Sequence, residues 1–273
     1  MSFRMGSMGL SLGAIRSLRS AETSIARSST RLASGLRINS AADDAAGLAI
    51  SERFRAGIAS LQRAQMNTAD GIGIAQSAQG GLSEISSLLS EARALAVQSS
   101  SGTLDGQTRD QLDDQFQAIL SDIDSIAAST SFSTFNPLNA SGQQIDVAVG
   151  TTAGDTITIT GVDATATSIG AGGIDIATAT GAAGAISAID GAISNTSDLA
   201  AQFGIAENRL ASPSNLLGVQ IEATAAAESR IRDADYATES ALLTRNQIIQ
   251  ESAIAVLGQA NANLSLVLRL LGT

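Results

Sequence analysis

The chain of 273 residues contains no cysteine, no histidine, no lysine and no tryptophan; all sixteen of its basic residues are arginine. Without Cys or His there is no thiol nucleophile, no Ser-His triad and no His or Cys zinc site. Without Lys there is no Schiff base and no phosphate-loop lysine. Carboxylates, hydroxyls, arginine and one tyrosine are all that remain for chemistry, so no catalytic residue, cofactor or metal is expected. Aromatics are 3% of residues, and the hydrophobic fraction of 44% is carried mostly by alanine. That leaves little bulk to fill a round interior. Only two prolines in this length favour long, unbroken helices, because proline breaks them.

Charge is scarce in one sign and unevenly placed. Residues 101–200 hold Arg109 against twelve aspartates, whereas residues 1–60 hold eight arginines against four acids. A basic start can signal nucleic-acid binding, but the near-absence of aromatics for stacking argues against it, and no nucleic-acid partner is expected. The apolar stretch Met8 to Ile15 is interrupted by Gly9, Ser11 and Gly13 and lacks a small-residue cleavage pattern, so it does not read as a signal peptide. Leu264 to Leu271 is cut by Arg269, and no membrane insertion is expected.

The pattern present is helical, and the expected fold is mainly α: long helices in a coiled-coil-like bundle with a small β-hairpin insert. Leu18, Ile25 and Leu32 fall seven apart, with Ala14 and Ala21 between them. Leu243, Leu257, Leu264 and Leu271 form a matching ladder near the other end, alongside Leu242, Ile249, Val256 and Leu270. Such narrow seams need a partner helix. Leu18, Ile25, Leu32, Leu257, Leu264 and Leu271 are therefore the candidate assembly interface, with the two chain ends paired.

Between these ends, Ser40 with Asp43 resembles a capping box opening a long helix at about Ala41 and running to about Ser99. Its glycines, among them Gly71, Gly80 and Gly81, read as sites of close helix packing. Leu112, Phe116, Ile119, Ile123 and Ile126 step by 4, 3, 4 and 3 and are the expected bundle core. Asp110, Asp113, Asp114 and Asp124 read as the solvated face of that helix. Residues 131–181 turn to Gly, Ala, Thr and Ser; the alternating runs Ile145–Val149 and Thr156–Thr160 predict a hairpin, read as a small surface excursion. Helix resumes at about Ala182. At Pro213 it either restarts, with Ser212 as cap, or continues with a bend; the apolar phase resuming at Leu217 favours the bend. The expected divisions are 1–40, 41–130, 131–181, 182–234 and 235–273.

Three runs near the start and three near the end carry a resemblance: Thr30-Arg31-Leu32-Ala33-Ser34-Gly35-Leu36-Arg37-Ile38-Asn39-Ser40 to Gly47, Asn67 to Gln76, Leu95 to Ser99, Ala206 to Leu210, Ser229 to Glu239, and Val256 to Asn261. In this order they resemble the bacterial flagellins over nearly the whole chain. The resemblance implies a structural subunit of the extracellular flagellar filament, with 1–40 and 235–273 as inner-tube helices and no separate outer domain. It also implies export without signal-peptide cleavage. The implied partners are copies of itself, the flagellar export apparatus, a secretion chaperone, the filament cap and the hook junction proteins. Around Leu95 that family presents a surface read by an innate immune receptor, where Glu91 stands in place of an arginine. A hook–filament junction protein and a surface protein binding a glycan or host are the alternative readings.

Overall fold

The computed structural model describes the backbone of residues 2–271 and the side chains of residues 12–263 and 265. Six α-helices and one hairpin follow one another: α1 (Ser2–Ser34), α2 (Ala45–Ser99), α3 (Gly106–Ser129), β1 (Gln144–Ala148), β2 (Thr156–Thr160), α4 (Ala166–Ile169), α5 (Ala179–Arg232) and α6 (Tyr236–Leu271). They form two compact units, one of Gly57–Glu222 and one of Met1–Ala56 with Ala223–Thr273. The helices α2 and α5 contribute to both.

The unit Gly57–Glu222 is a bundle around one large apolar core, with a small second cluster of Leu61, Ala64 and Leu217. On α2 the buried residues Ile74, Ala78, Leu82, Ile85, Leu89, Ala92 and Ala96 follow the helical period. On α3 the buried Leu112, Phe116, Ile119 and Ile123 are joined by the half-buried Ile126, and α5 adds Ala182, Ala185, Ile189, Ala192, Phe203 and Leu210. Alanine at so many of these positions lets the helices approach closely and explains how a chain poor in aromatics fills an interior. Two buried threonines turn back to their own helix: Thr68 donates to the Ala64 carbonyl at 2.7 Å and Thr196 to the Ala192 carbonyl at 2.8 Å. Arg109 donates to the carbonyls of Ser99 and Ser101 at 3.0 and 2.8 Å, placing a cation on the orphan carbonyls that end α2.

The hairpin pairs antiparallel, with Ile145 opposite Ile159 and Val147 opposite Ile157. Its first strand begins one residue earlier than the alternation suggested. The insert is not a surface excursion. Phe135, Leu138, Val147, Ile159, Ile169 and Ile176 are buried in the same core as the three long helices. The glycines of α2 are what seat it. A Cβ on Gly71 would lie 3.0 Å from Val147, and one on Gly81 would lie 2.7 Å from Leu138 and 2.8 Å from Thr130. Gly71 also faces Leu210 of α5, 3.1 Å from such a Cβ, so it serves close helix packing as expected and seats the insert as well. Two of the four acids expected on a solvated face of α3 hold the same segment. Asp113 accepts the Ile176 N–H at 2.9 Å and Asp124 the Ala166 N–H at 2.8 Å. Periodicity cannot reveal such backbone partners, because they lie 42 and 63 residues away.

The ends of the helices also differ from expectation in one place. Asp43 does reach back, accepting from the Ser40 N–H at 3.1 Å and the Ser40 hydroxyl at 3.0 Å. Residues 41–43 nevertheless form a turn, and α2 opens only at Ala45, with Asp44 accepting the Gly47 N–H at 2.9 Å as its cap. At Pro213 the helix α5 runs through without restarting, in keeping with the continuous arrangement and against a cap at Ser212.

Adjacent glycines on α2 should respond oppositely to alanine. A Cβ on Gly80 meets nothing within 4 Å, so Gly80→Ala should raise stability by about 1 kcal/mol through helix propensity. Gly81→Ala pushes on the fully buried Leu138 and should lower it by about 1–3 kcal/mol. Denaturant unfolding of the two variants measures both signs. The caps carry a pH dependence. The Thr108 side chain and N–H hold the Asp105 carboxyl below its usual range, and the Thr238 side chain with the Thr238 and Ala237 N–H groups does the same for Asp235. Folding lowers these pKa values, so the ionised caps contribute stability at any pH above the ordinary value of about 3.9. That contribution disappears as pH falls through the lowered folded values. Helicity followed by circular dichroism should therefore hold through pH 4 and decline only below it, with Asp105→Asn removing part of the acid sensitivity.

Candidate assembly surface

The unit containing both chain ends is built on α1 lying antiparallel against α6. The face of α1 turned to its partner is a ladder of small residues: Ala14, Ala21 and Ser28 are buried, seven apart. The expected interface residues Leu18, Ile25 and Leu32 flank this ladder and are half-buried. On α6 the buried Glu239 and Ala253 and the half-buried Leu243, Asn246, Gln250, Leu257 and Ala260 step by 4 and 3 along one face. Leu257 is thus on the α1-facing side, whereas the side chains of Leu264 and Leu271 lie outside the described residues. Small residues at the centre bring the two backbones close, and the larger ones close over the sides.

The second apolar ladder of α6 does something else. Leu242, Ile249 and Val256 are exposed, together with Ile248 and Ile254, and so are Leu12 and Ile15 on α1. Ile248 is 58% exposed and Ile254 is 55% exposed, on other faces of α6 than this ladder. A groove of about 440 Å³ runs between Gly13, Ala14 and Ser17 on one helix and Ile249, Ser252, Ala253 and Val256 on the other. The chain-end pair is therefore covered along its seam and uncovered along an adjoining apolar strip.

A clasp joins the two helices where α1 ends and α6 begins. Gly35 terminates α1 in the left-handed conformation, φ 72°, with its N–H on the Arg31 carbonyl at 2.8 Å. Leu36 then pairs with Asp233 as an isolated antiparallel bridge. The Arg37 N–H donates to the Arg232 carbonyl at 2.6 Å, and the Ala234 N–H to the Gly35 carbonyl at 2.9 Å. The Tyr236 hydroxyl donates to the Leu32 carbonyl at 2.6 Å, and the Arg37 guanidinium to the Ile231 carbonyl at 2.7 Å. Arg31 meets Glu239 at 3.5 Å and Arg232 meets Glu52 at 3.0 Å. Glu239, 7% exposed, is the one buried carboxylate among the described residues.

The other candidates fall in the second unit. Leu112, Phe116, Ile119 and Ile123 lie in the bundle core, with Ile126 half-buried against it. Leu95 is half-buried on the same core and Glu91 is exposed on the same helix. Seam periodicity alone missed the clasp, whose bonds come from main-chain groups and from single residues such as Tyr236. The sequence signal for it is the glycine directly after the α1 pattern. Among the described residues no three acidic, His or Cys side chains are grouped to hold a metal, and no helix is long and apolar enough to cross a membrane.

Long helices, paired chain ends and apolar side chains left exposed beside that pair are features of a structural subunit that packs against copies of itself. Family models agree: the bacterial flagellin N-terminal helical region matches residues 7–143 and the bacterial flagellin C-terminal helical region matches residues 186–271. A flagellin from Halalkalibacterium halodurans is 41% identical over 243 residues, 88% of this chain and 89% of that protein. The flagellar filament 30.7 kDa core protein of Treponema maltophilum is 34% identical over 88% of this chain and 90% of its own length. The crystal structure of Bacillus cereus flagellin superimposes with a TM-score of 0.51 at 29% identity, covering 55% of this chain and 88% of the other. The chain belongs to the bacterial flagellins, the structural subunits of the flagellar filament.

The seam depends on small side chains, which makes its centre intolerant of bulk. Ala21, 3% exposed, lies midway along the ladder. Ala21→Leu should separate the helices and cost about 1–3 kcal/mol of their pairing. Hydrogen exchange should then show faster exchange across residues 14–28, with the bundle core of Gly57–Glu222 unchanged.

Proposed function

We propose that this flagellin polymerises through its chain ends into an extracellular filament that lacks a separate outer domain. In this reading residues 1–40 and 235–273 form the innermost layer, 41–130 and 182–234 the surrounding bundle, and 131–181 an insert belonging to that bundle. The observation that carries it is the exposed ladder of Leu242, Ile249 and Val256 beside the paired α1 and α6, with Ile248 and Ile254 exposed on other faces of α6. A single chain leaves this apolar area in water at a cost of roughly 25 cal/mol per Å², which contact with another copy recovers. Leu257, Leu264 and Leu271, with Leu18, Ile25 and Leu32, contribute to the pairing and its extension along the tube.

The remaining partners follow from membership in the family. The flagellar export apparatus and a secretion chaperone deliver the chain, and the filament cap and hook junction proteins receive it. Glu91, exposed beside Leu95, puts a negative charge where the family's immune-receptor surface carries a positive one. Weak receptor activation is the expected consequence.

Purified chain at neutral pH should form long filaments visible by negative-stain electron microscopy. Ile249→Asp should abolish them while the thermal transition of the bundle is retained, because a charge placed in a desolvated strip costs several kcal/mol. Short rings or no assembly by the unaltered chain would count against the filament reading. In a cell-based receptor assay Glu91→Arg should raise activation over the unaltered chain; equal responses would remove Glu91 as the determining residue.

A further inference from the structure

The seam between α1 and α6 repeats itself. On α1 the buried ladder reads Ala14, Ala21, Ser28, the flanking ladder Leu18, Ile25, Leu32, and the third ladder Ser17, Ser24, Arg31. Moving α1 by seven residues replaces alanine by alanine, leucine by isoleucine and serine by serine. On α6 the corresponding ladders read Glu239, Asn246, Ala253, Ala260 and Leu243, Gln250, Leu257. The first passes from polar Glu239 and Asn246 to alanine, and the second sets Gln250 between two leucines. The small and apolar side chains of α1 are satisfied at more than one offset, so its packing by itself specifies the register weakly.

Two charged residues stand out from these ladders. Arg31 is the only charge on the third ladder of α1, and Glu239 is the only charge on its ladder of α6. They face each other at 3.5 Å, with side chains 24% and 9% exposed. Arg31 Nε is buried without a hydrogen-bond partner, and Glu239 is the carboxylate that meets this guanidinium across the seam. Displacing the helices by one heptad would leave Glu239 buried opposite serine or isoleucine and Arg31 without its anion. Removing one partner of a buried pair is far costlier than the pair itself is stabilising. The clasp at Leu36 and Asp233, with the Tyr236 and Arg37 side chains, holds the helix ends together, and its acceptors are main-chain carbonyls that carry no residue identity.

We propose that Arg31 and Glu239 are the register key of the chain-end pair: a positioning interaction that admits one alignment of α1 against α6 and excludes those displaced by a heptad. One heptad corresponds to about 10 Å along a helix. A subunit paired one heptad out would present Leu242, Ile249 and Val256 against the wrong stretch of α1 and could not occupy an equivalent place in a helical polymer. The geometry of the key stands within one chain; its consequence for assembly rests on the filament reading.

The chain has no cysteine, so two introduced ones can carry spin labels without background. Ser20 and Ala241 are exposed and lie offset along the pair. In filaments with S20C/A241C subunits diluted into unlabelled chain, pulsed dipolar spectroscopy should give one distance. Adding Arg31→Ser, which makes the third ladder uniform, should produce a second population displaced by about 10 Å. The exchanged pair R31E/E239R should restore the single distance, which a merely space-filling role of either residue would not predict. If R31S abolishes filaments, the exchanged pair decides: recovery of filaments with the original distance supports the key, and no recovery overturns it. A single unchanged distance in R31S also overturns it. Should the unaltered chain form no filaments, the filament reading fails by itself. The same distances in the soluble chain then test the key, a broad distribution before any substitution counting against it.

Discussion

The approach of α1 to α6 through alanine and serine is the constraint on which the chain-end unit depends. Side chains this small contribute little burial each, so the two helices gain stability only by lying close along their whole contact. Close contact requires both helix ends to be fixed, and the structure fixes one of them with the Gly35 cap, the Leu36–Asp233 bridge and the Tyr236 hydrogen bond. It also leaves the larger apolar residues of α6 with nowhere to go in a single chain. A seam of leucines would have covered them and made a self-sufficient hairpin of helices. The small-residue seam instead keeps Ile248, Ile249, Ile254 and Val256 outward, which is what a subunit built to pack against copies of itself needs.

In the bundle the same economy of side-chain size takes a different form. Glycines on α2 open space into which the insert lowers Val147 and Leu138, and aspartates on α3 receive its backbone N–H groups. A segment of low hydrophobicity thereby becomes part of a core. An isolated two-stranded hairpin is marginal in water, and this one is stabilised by burying one face on helices and by tying its following loop to α3. Exposed pairs such as Arg93 with Asp190, 2.6 Å apart and about half exposed, add little by comparison.

Much of this was legible in the residues. The 4-3 spacing from Leu112 to Ile126 placed α3 and its buried face, and the alternation at Thr156 to Thr160 placed β2 to the residue. Helix starts were less legible, because Ser40 and Asp43 satisfy the pattern of a cap while forming a turn four residues ahead of α2. The clasp was illegible from periodicity, since its bonds join backbone groups about two hundred residues apart. The role of Glu239 was hidden for a related reason. A lone acid near a helix start reads as a favourable charge on the helix dipole, and only its distance to Arg31 shows that it lies in a seam.

A helical reconstruction of filaments assembled from the purified chain, at a resolution that separates side chains, tests the account most directly. It should show α1 and α6 of each subunit antiparallel, with Ala14, Ala21 and Ser28 on the α6-facing side, and the Leu242–Val256 strip covered by a neighbouring copy. Filaments in which that strip faces solvent, or in which α1 and α6 of one subunit are apart, would contradict it.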